Sequence, residues 1–237
     1  MFNEAIILAG GMGTRLRDVV ADKPKPMADI NGRPFLEYLV KYLASYNINK
    51  IILSVGYKSE VIKNYFGEKF NNTTISYAVE KYPLGTGGGI SLAMQKAQAD
   101  DIFILNGDTF FNINLKNLAR VHSEKNASLT IALRKMGNAS RYGFIAIDEN
   151  NRIKAFLEKD KLMNEGYING GVYIIKKSVL LNYNMPEKFS FEKDFLQQYF
   201  KSENFFGLEF NDYFIDIGIP SSYKQAQSDF TNGFIKK

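Results

Sequence analysis

The chain has 237 residues, 45% of them hydrophobic, a formal charge of +5 and no cysteine. That length and apolar fraction suit one sizeable α/β domain. The missing thiols exclude disulfides and thiolate metal sites and agree with a cytoplasmic setting. There is no run of eighteen apolar residues, which excludes a membrane-spanning helix, and Glu4 followed by an early glycine turn does not read as a secretory leader. Basic residues are interleaved with acids, as in EKFSFEKDF from Glu187 to Phe195. The positive balance therefore points to small polyanionic substrates and not to nucleic acid.

In chain order, Glu4 to Ala9 comes first, a short and mostly apolar run with paired isoleucines, as a central strand of a covered parallel sheet has. It opens into Gly10, Gly11 and Gly13, which let the backbone turn sharply and come close to a ligand, and then into Thr14 and Arg15. Lys25 follows between Pro24 and Pro26, a cation on a stiffened segment. Backbone amides in such a turn form an anion-binding concavity that the two cations reinforce, so the segment predicts a phosphate site. Neither better-known phosphate loop fits: the P-loop string is absent, and Leu16 stands where the dinucleotide fingerprint needs a third glycine. The glycines by themselves would equally suit an ordinary strand-to-helix turn.

The apolar residues Phe35, Leu36, Leu39, Val40 and Leu43 recur at helical spacing and predict a helix over 34–46. A strand at 51–55, a helix at 59–66, a strand at 74–79, a helix at 87–98 and a strand at 102–106 continue the alternation. LKNLARVHSEK reads as a helix that leaves His122 exposed. Beyond residue 127, SLTIALRK, YGFIAIDE, RIKAFLEK and GGVYIIKK are strand-like with short connections, which predicts antiparallel or mixed pairing. A helix at 191–201, strands at 205–209 and 213–217, and a helix opened by Pro220 close the chain. The expected fold is a Rossmann-like, doubly wound, mixed and mainly parallel sheet in a single three-layer domain over 1–237. Asp108 and Asp216 each follow an apolar strand, at the edge where open α/β sheets bind ligands. Either, taken alone, also reads as a turn cap. The aromatic pairs Phe110-Phe111 and Phe205-Phe206 read as core.

The strings GGMGTRLR and KPKPM, followed in order by PLGTGGGI at 83–90, NGDTFF at 106–111, RYGFI at 141–145, FLEK at 156–159, INGGVY at 168–173 and FIDIGIP at 214–220, resemble the motifs of the sugar-1-phosphate nucleotidyltransferases. Together with GRPFLEYL, they are most similar to the heptose 1-phosphate guanylyltransferases within that family, close relatives of the mannose-1-phosphate enzymes. The resemblance implies a sheet of the nucleotide-diphospho-sugar transferase type, GTP and D-glycero-D-manno-heptose 1-phosphate as substrates, Mg²⁺ as cofactor, and a GDP-heptose product for surface polysaccharide synthesis. Residues up to about 126 would bind the nucleotide and those from about 127 the sugar phosphate.

Carried over by position, Arg15 and Lys25 would neutralise the triphosphate and the transferring α-phosphate, with Asp108 completing the catalytic set. Leu8, Ala9, Gly10 and Gly11 would line the nucleoside, with Gly13 and Thr14 beside the phosphates, while Gly85, Thr86 and Gly87 would close on the base. Asp108 and Asp216 match metal-binding aspartates. Tyr142, Gly143, Glu158, Asn169 and Gly170 match positions that contact sugar hydroxyls, and Lys159 matches the lysine on the sugar phosphate. A catalytically silent nucleotide-sensing subunit is a rival reading, opposed by the presence of Arg15, Lys25, Asp108 and Asp216 together. A homodimer is the default expectation for a soluble enzyme.

Overall fold

The computed structural model describes residues 2–11, 23–137, 143–157 and 165–231. Its first strand, β1 (Glu4–Leu8), is covered on both faces: Ala5 and Ile7 enter one core and Ile6 the other. Two-sided burial is why the strand reads as an unbroken apolar run. A 3-10 turn at Lys25–Met27 leads into a hairpin of β2 (Asp29–Ile30) and β3 (Arg33–Pro34) and then into α1 (Phe35–Ser45), which buries the apolar stripe expected of it. β4 (Lys50–Val55), α2 (Ser59–Phe66), the short β5 (Lys69–Phe70), β6 (Thr73–Val79), α3 (Gly85–Met94) and β7 (Asp101–Asn106) complete the doubly wound part. β8 (Thr109–Phe111) and α4 (Leu115–Glu124) follow, and Asn114 caps α4 by accepting from the Asn117 amide.

The second half supplies β9 (Leu129–Gly137), β10 (Phe144–Ile147), β11 (Ile153–Leu157), the long β12 (Glu165–Lys176) and α5 (Lys177–Asn182). A π-helical segment at Phe191–Leu196 runs into α6 (Gln197–Tyr199), where sequence spacing predicts one helix over 191–201. β13 (Phe205–Glu209), β14 (Phe214–Asp216) and α7 (Pro220–Thr231) end the described chain.

One sheet crosses both halves in the order β11-β10-β12-β7-β1-β4-β6-β5, with β9 joined to β12 and β13 to β9. The central pairs β7-β1, β1-β4 and β4-β6 are parallel, whereas β12 runs antiparallel to β7, β9 and β10. The chain first builds outward from β1 through β4 and β6, then returns to place β7 on the other flank of β1. That reversal is a topological switch point, and open α/β sheets bind ligands at the carboxyl ends of the strands beside it. Among the described residues no helix is long and apolar enough to cross a membrane.

The structure corrects the reading of His122 as exposed. It is 1% exposed, on the same face of α4 as Leu115, Leu118 and Ala119. Its Nδ1 lies 2.8 Å from Thr130 Oγ1 and its Nε2 3.3 Å from Asp101 Oδ1. Burial pushes the imidazole below its ordinary value of 6.5, with Lys176 acting in the same direction and Asp101 opposing both. A depressed value means the neutral ring contributes stability above the unfolded value, and that stability is lost as pH falls through the folded value. The urea midpoint should therefore fall as pH is lowered from 7 toward 5, and fall less steeply in His122→Gln. Equal slopes for the two proteins would contradict this account.

Candidate functional site

The carboxyl ends of β1, β4, β6 and β7 border a cleft of about 610 Å³, within the range of small-molecule sites. Leu8, Gly10 and Gly11 line it from β1, Gly56 and Tyr57 from β4, Glu80 to Pro83 from β6, and Asn106, Gly107 and Asp108 from β7. Close backbone packing shapes its floor. The Gly107 amide donates to the Leu8 carbonyl at 2.9 Å, and a Cβ on Gly107 would collide with that carbonyl oxygen.

Lys25 also lines the cleft. The 3-10 turn that carries it is held by the Met27 amide on the Pro24 carbonyl, 2.8 Å, and Pro26 is buried against Gly107. Its ammonium lies 2.5 Å from Asp108 Oδ2 and 3.9 Å from Asp216 Oδ1, and the lysine side chain is only 10% exposed. Residues distant in sequence meet here because β8 and β14 pair antiparallel with Asp216 opposite Thr109. The Ile217 amide donates to the Asp108 carbonyl at 2.9 Å, and Asp216 Oδ1 accepts from the Gly218 amide at 2.7 Å. Two carboxylates around one ammonium form an oxygen-donor pair that already holds a cation. That chemistry fits a divalent ion with oxygen preference.

The structure thus brings Leu8, Gly10, Gly11, Lys25, Gly85, Thr86 and Asp108 into one cleft wall and sets Asp216 beside Asp108. Ala9 is fully buried, its amide bonded to the Ser54 carbonyl at 2.7 Å. Gly87 is also buried, against the ring of Phe189. Asn169 and Gly170 sit on β12 next to Gly171, which packs against Asn106 on the cleft wall. Asn169 donates to the Tyr173 hydroxyl at 2.7 Å and accepts from the Gly171 amide at 3.0 Å. Gly143 is exposed, just before β10. Gly13, Thr14, Arg15, Tyr142, Glu158 and Lys159 lie outside the described residues.

Sequence reasoning passed over Glu80. It follows β6 into the cleft, where Oε2 accepts from the Leu84 amide at 3.1 Å and Oε1 lies 3.4 Å from Ser54 Oγ. Gly10 and Gly89 stand close enough that a Cβ on either would press on Oε1.

The family model described as nucleotidyl transferase matches residues 4–233. The chain is 46% identical over 226 residues to the D-glycero-alpha-D-manno-heptose 1-phosphate guanylyltransferase of Aneurinibacillus thermoaerophilus, covering 95% of this chain and 97% of that one. It is 44% identical to the protein of the same name from Campylobacter jejuni, covering 93% and 96%. The crystal structure of HddC from Yersinia pseudotuberculosis complexed with GMP-PN superposes with a TM-score of 0.84 at 37% identity, covering 97% of this chain and all of that one.

Proposed function

The chain belongs to the nucleotidyl transferase family, and from that premise we propose that it joins GTP to D-glycero-α-D-manno-heptose 1-phosphate, giving GDP-heptose and pyrophosphate. A phosphate oxygen of the sugar phosphate attacks the α-phosphorus of GTP. The new P–O bond forms as the bond to the pyrophosphate leaving group breaks. Two polyanions must approach, so positioning and charge neutralisation supply most of the rate. The observation that carries the proposal is the Lys25 ammonium held between Asp108 and Asp216 at a cleft on the switch point of the sheet.

Lys25 binds the α-phosphate oxygens on which charge builds up, and Pro24 and Pro26 keep its backbone from drifting. Asp108 and Asp216 would hold Mg²⁺, which when bound supplies further neutralisation of the triphosphate. Leu8, Gly10 and Gly11 present backbone to the nucleoside, while Gly13 and Thr14 would lie beside the phosphates and Arg15 would neutralise the triphosphate with its charge. Tyr142, Gly143, Glu158, Lys159, Asn169 and Gly170 belong to the sugar-phosphate side in this reading, with the nucleotide half ending near residue 126. A cytoplasmic setting supplies GTP and Mg²⁺ to such a reaction.

Glu80 is the base reader in this proposal. An ionised carboxylate only accepts hydrogen bonds, and guanine presents two donors on one edge, N1–H and the 2-amino group. Cytosine and adenine place a ring acceptor there. The test is pyrophosphate release with Mg²⁺ from GTP, ITP, CTP, UTP and dTTP against heptose, mannose and glucose 1-phosphates. GTP with heptose 1-phosphate should give the highest kcat/KM. ITP, which lacks the 2-amino donor, should fall about tenfold or more, and Glu80→Gln should erase most of that gap. Equal use of mannose 1-phosphate would favour the related mannose reading, and an unchanged GTP/ITP ratio in Glu80→Gln would remove Glu80 from the base.

A further inference from the structure

Thr86 lies on the cleft wall, yet its hydroxyl is taken up by protein partners. Oγ1 donates its proton to Glu192 Oε2 at 2.8 Å and accepts from the Phe191 amide at 2.8 Å. A hydroxyl has one proton, so none is left to give to a phosphate or a base carbonyl. Glu192 Oε2 is further held by the Ser190 hydroxyl at 3.2 Å, and the Ser190 amide donates to Asp194 at 2.7 Å. The backbone repeats the pattern. The Phe189 carbonyl accepts from the Gly87 amide at 3.0 Å and the Gly88 amide at 3.4 Å, and the Phe189 amide donates to the Leu84 carbonyl at 3.0 Å.

The glycines of this loop make room for the same partner. A Cβ on Gly85 would meet the Phe189 carbonyl, one on Gly87 the Phe189 ring, and one on Gly88 the Glu187 carbonyl. The strap 187–192 then enters the π-helical turn at Phe191–Leu196, a geometry frequent at functional sites. On its far side, Phe191 packs edge-on against Tyr173 at 5.4 Å, and the Tyr173 hydroxyl is the one that accepts from Asn169. The strap therefore stands between the nucleotide loop and the β12 segment assigned to the sugar.

We propose that Glu192 and Thr86 are positioning residues for the nucleotide: the strap 187–192 holds Leu84–Gly88 in the curve that GTP meets, and Thr86 works through that tie and not by touching the ligand. This rests on the GTP reading above and deepens it. The test is steady-state kinetics of the full chain, with GTP varied at saturating heptose 1-phosphate. Thr86→Val and Glu192→Ala should each raise KM for GTP about five- to thirtyfold, the size of one charge-assisted hydrogen bond, with kcat within about twofold. Thr86→Ser, which keeps the hydroxyl, should recover most of the loss. The double variant should be no worse than the worse single one, because both cut the same tie.

A direct Thr86 contact predicts something else: Thr86→Val would raise KM while Glu192→Ala left it near the wild-type value. That result would overturn the proposal, as would kcat falling in step with kcat/KM, or lower melting temperatures with unchanged KM. Wild-type turnover of GTP in the same assay is the control for the parent reading. Were another nucleotide preferred, the GTP assignment would fail by itself, and the same variants measured with that nucleotide would still decide the role of the strap.

Discussion

Lys25→Ala should lower kcat by about a hundred- to a thousandfold, the usual loss when one preorganised charge-stabilising group is removed from a site of this kind. The group is preorganised in a literal sense. Its backbone sits in a 3-10 turn between prolines, and its side chain is 10% exposed, with the ammonium fixed by Asp108. Alanine removes the cation from beside Asp108 on the cleft wall and from the neighbourhood of Asp216. Asp108 is 36% exposed, so water compensates much of that loss, and the folded state should survive with little change in melting temperature. Because the α-phosphate gains charge only as the reaction proceeds, kcat should fall more than KM for GTP rises. Single-turnover rates and a thermal melt separate the two effects. Turnover within a few-fold of wild type would remove Lys25 from the reacting centre.

Asp108→Asn should lower turnover by a comparable factor while also raising the Mg²⁺ concentration needed for half-maximal rate. Asparagine keeps the shape and one carbonyl oxygen but loses the charge. Groups that only support metal ligands already cost about ten- to a hundredfold in affinity or activity when changed, and a ligand should cost at least that. Asp216→Asn should shift the Mg²⁺ requirement in the same direction, because its carboxylate stands across the same ammonium. Titrating Mg²⁺ at fixed GTP distinguishes this from misfolding: a variant weak in metal regains rate at high Mg²⁺. If neither variant moved the Mg²⁺ dependence, the pair would not be the ion's ligands.

Much of this was legible before any coordinates. β1 and β7 are covered on both faces, and two-sided burial writes itself as an apolar run from Ala5 to Leu8 and from Ile102 to Leu105. α1 shows its buried stripe at helical spacing. The ordered motif blocks led to the family that the comparisons establish. His122 could have been read better, since it falls four residues after Leu118 and seven after Leu115, on the apolar face. The β2-β3 hairpin had its signal as well, an Asn31-Gly32 pair with positive φ at both residues, but its strands are too short to alternate.

Other features have no local signature. Glu80 is one acid after one strand, and only the pairing of β4 with β6 and the packing of α3 bring it beside Gly10, Ser54 and Gly89. The meeting of Asp108 with Asp216 depends on strands of three residues. The space kept by Gly87 belongs to a ring far along the chain, and nothing near Gly87 announces Phe189.

Along the described cleft wall, Lys25 and Lys81 are matched by Glu80 and Asp108, so this surface is electrically balanced despite the overall charge of +5. By themselves these four groups exert little long-range pull on a bare tetra-anion. Recruitment then falls to cations outside these four, and this stretch of wall favours a nucleotide whose charge has been partly cancelled by a bound divalent ion.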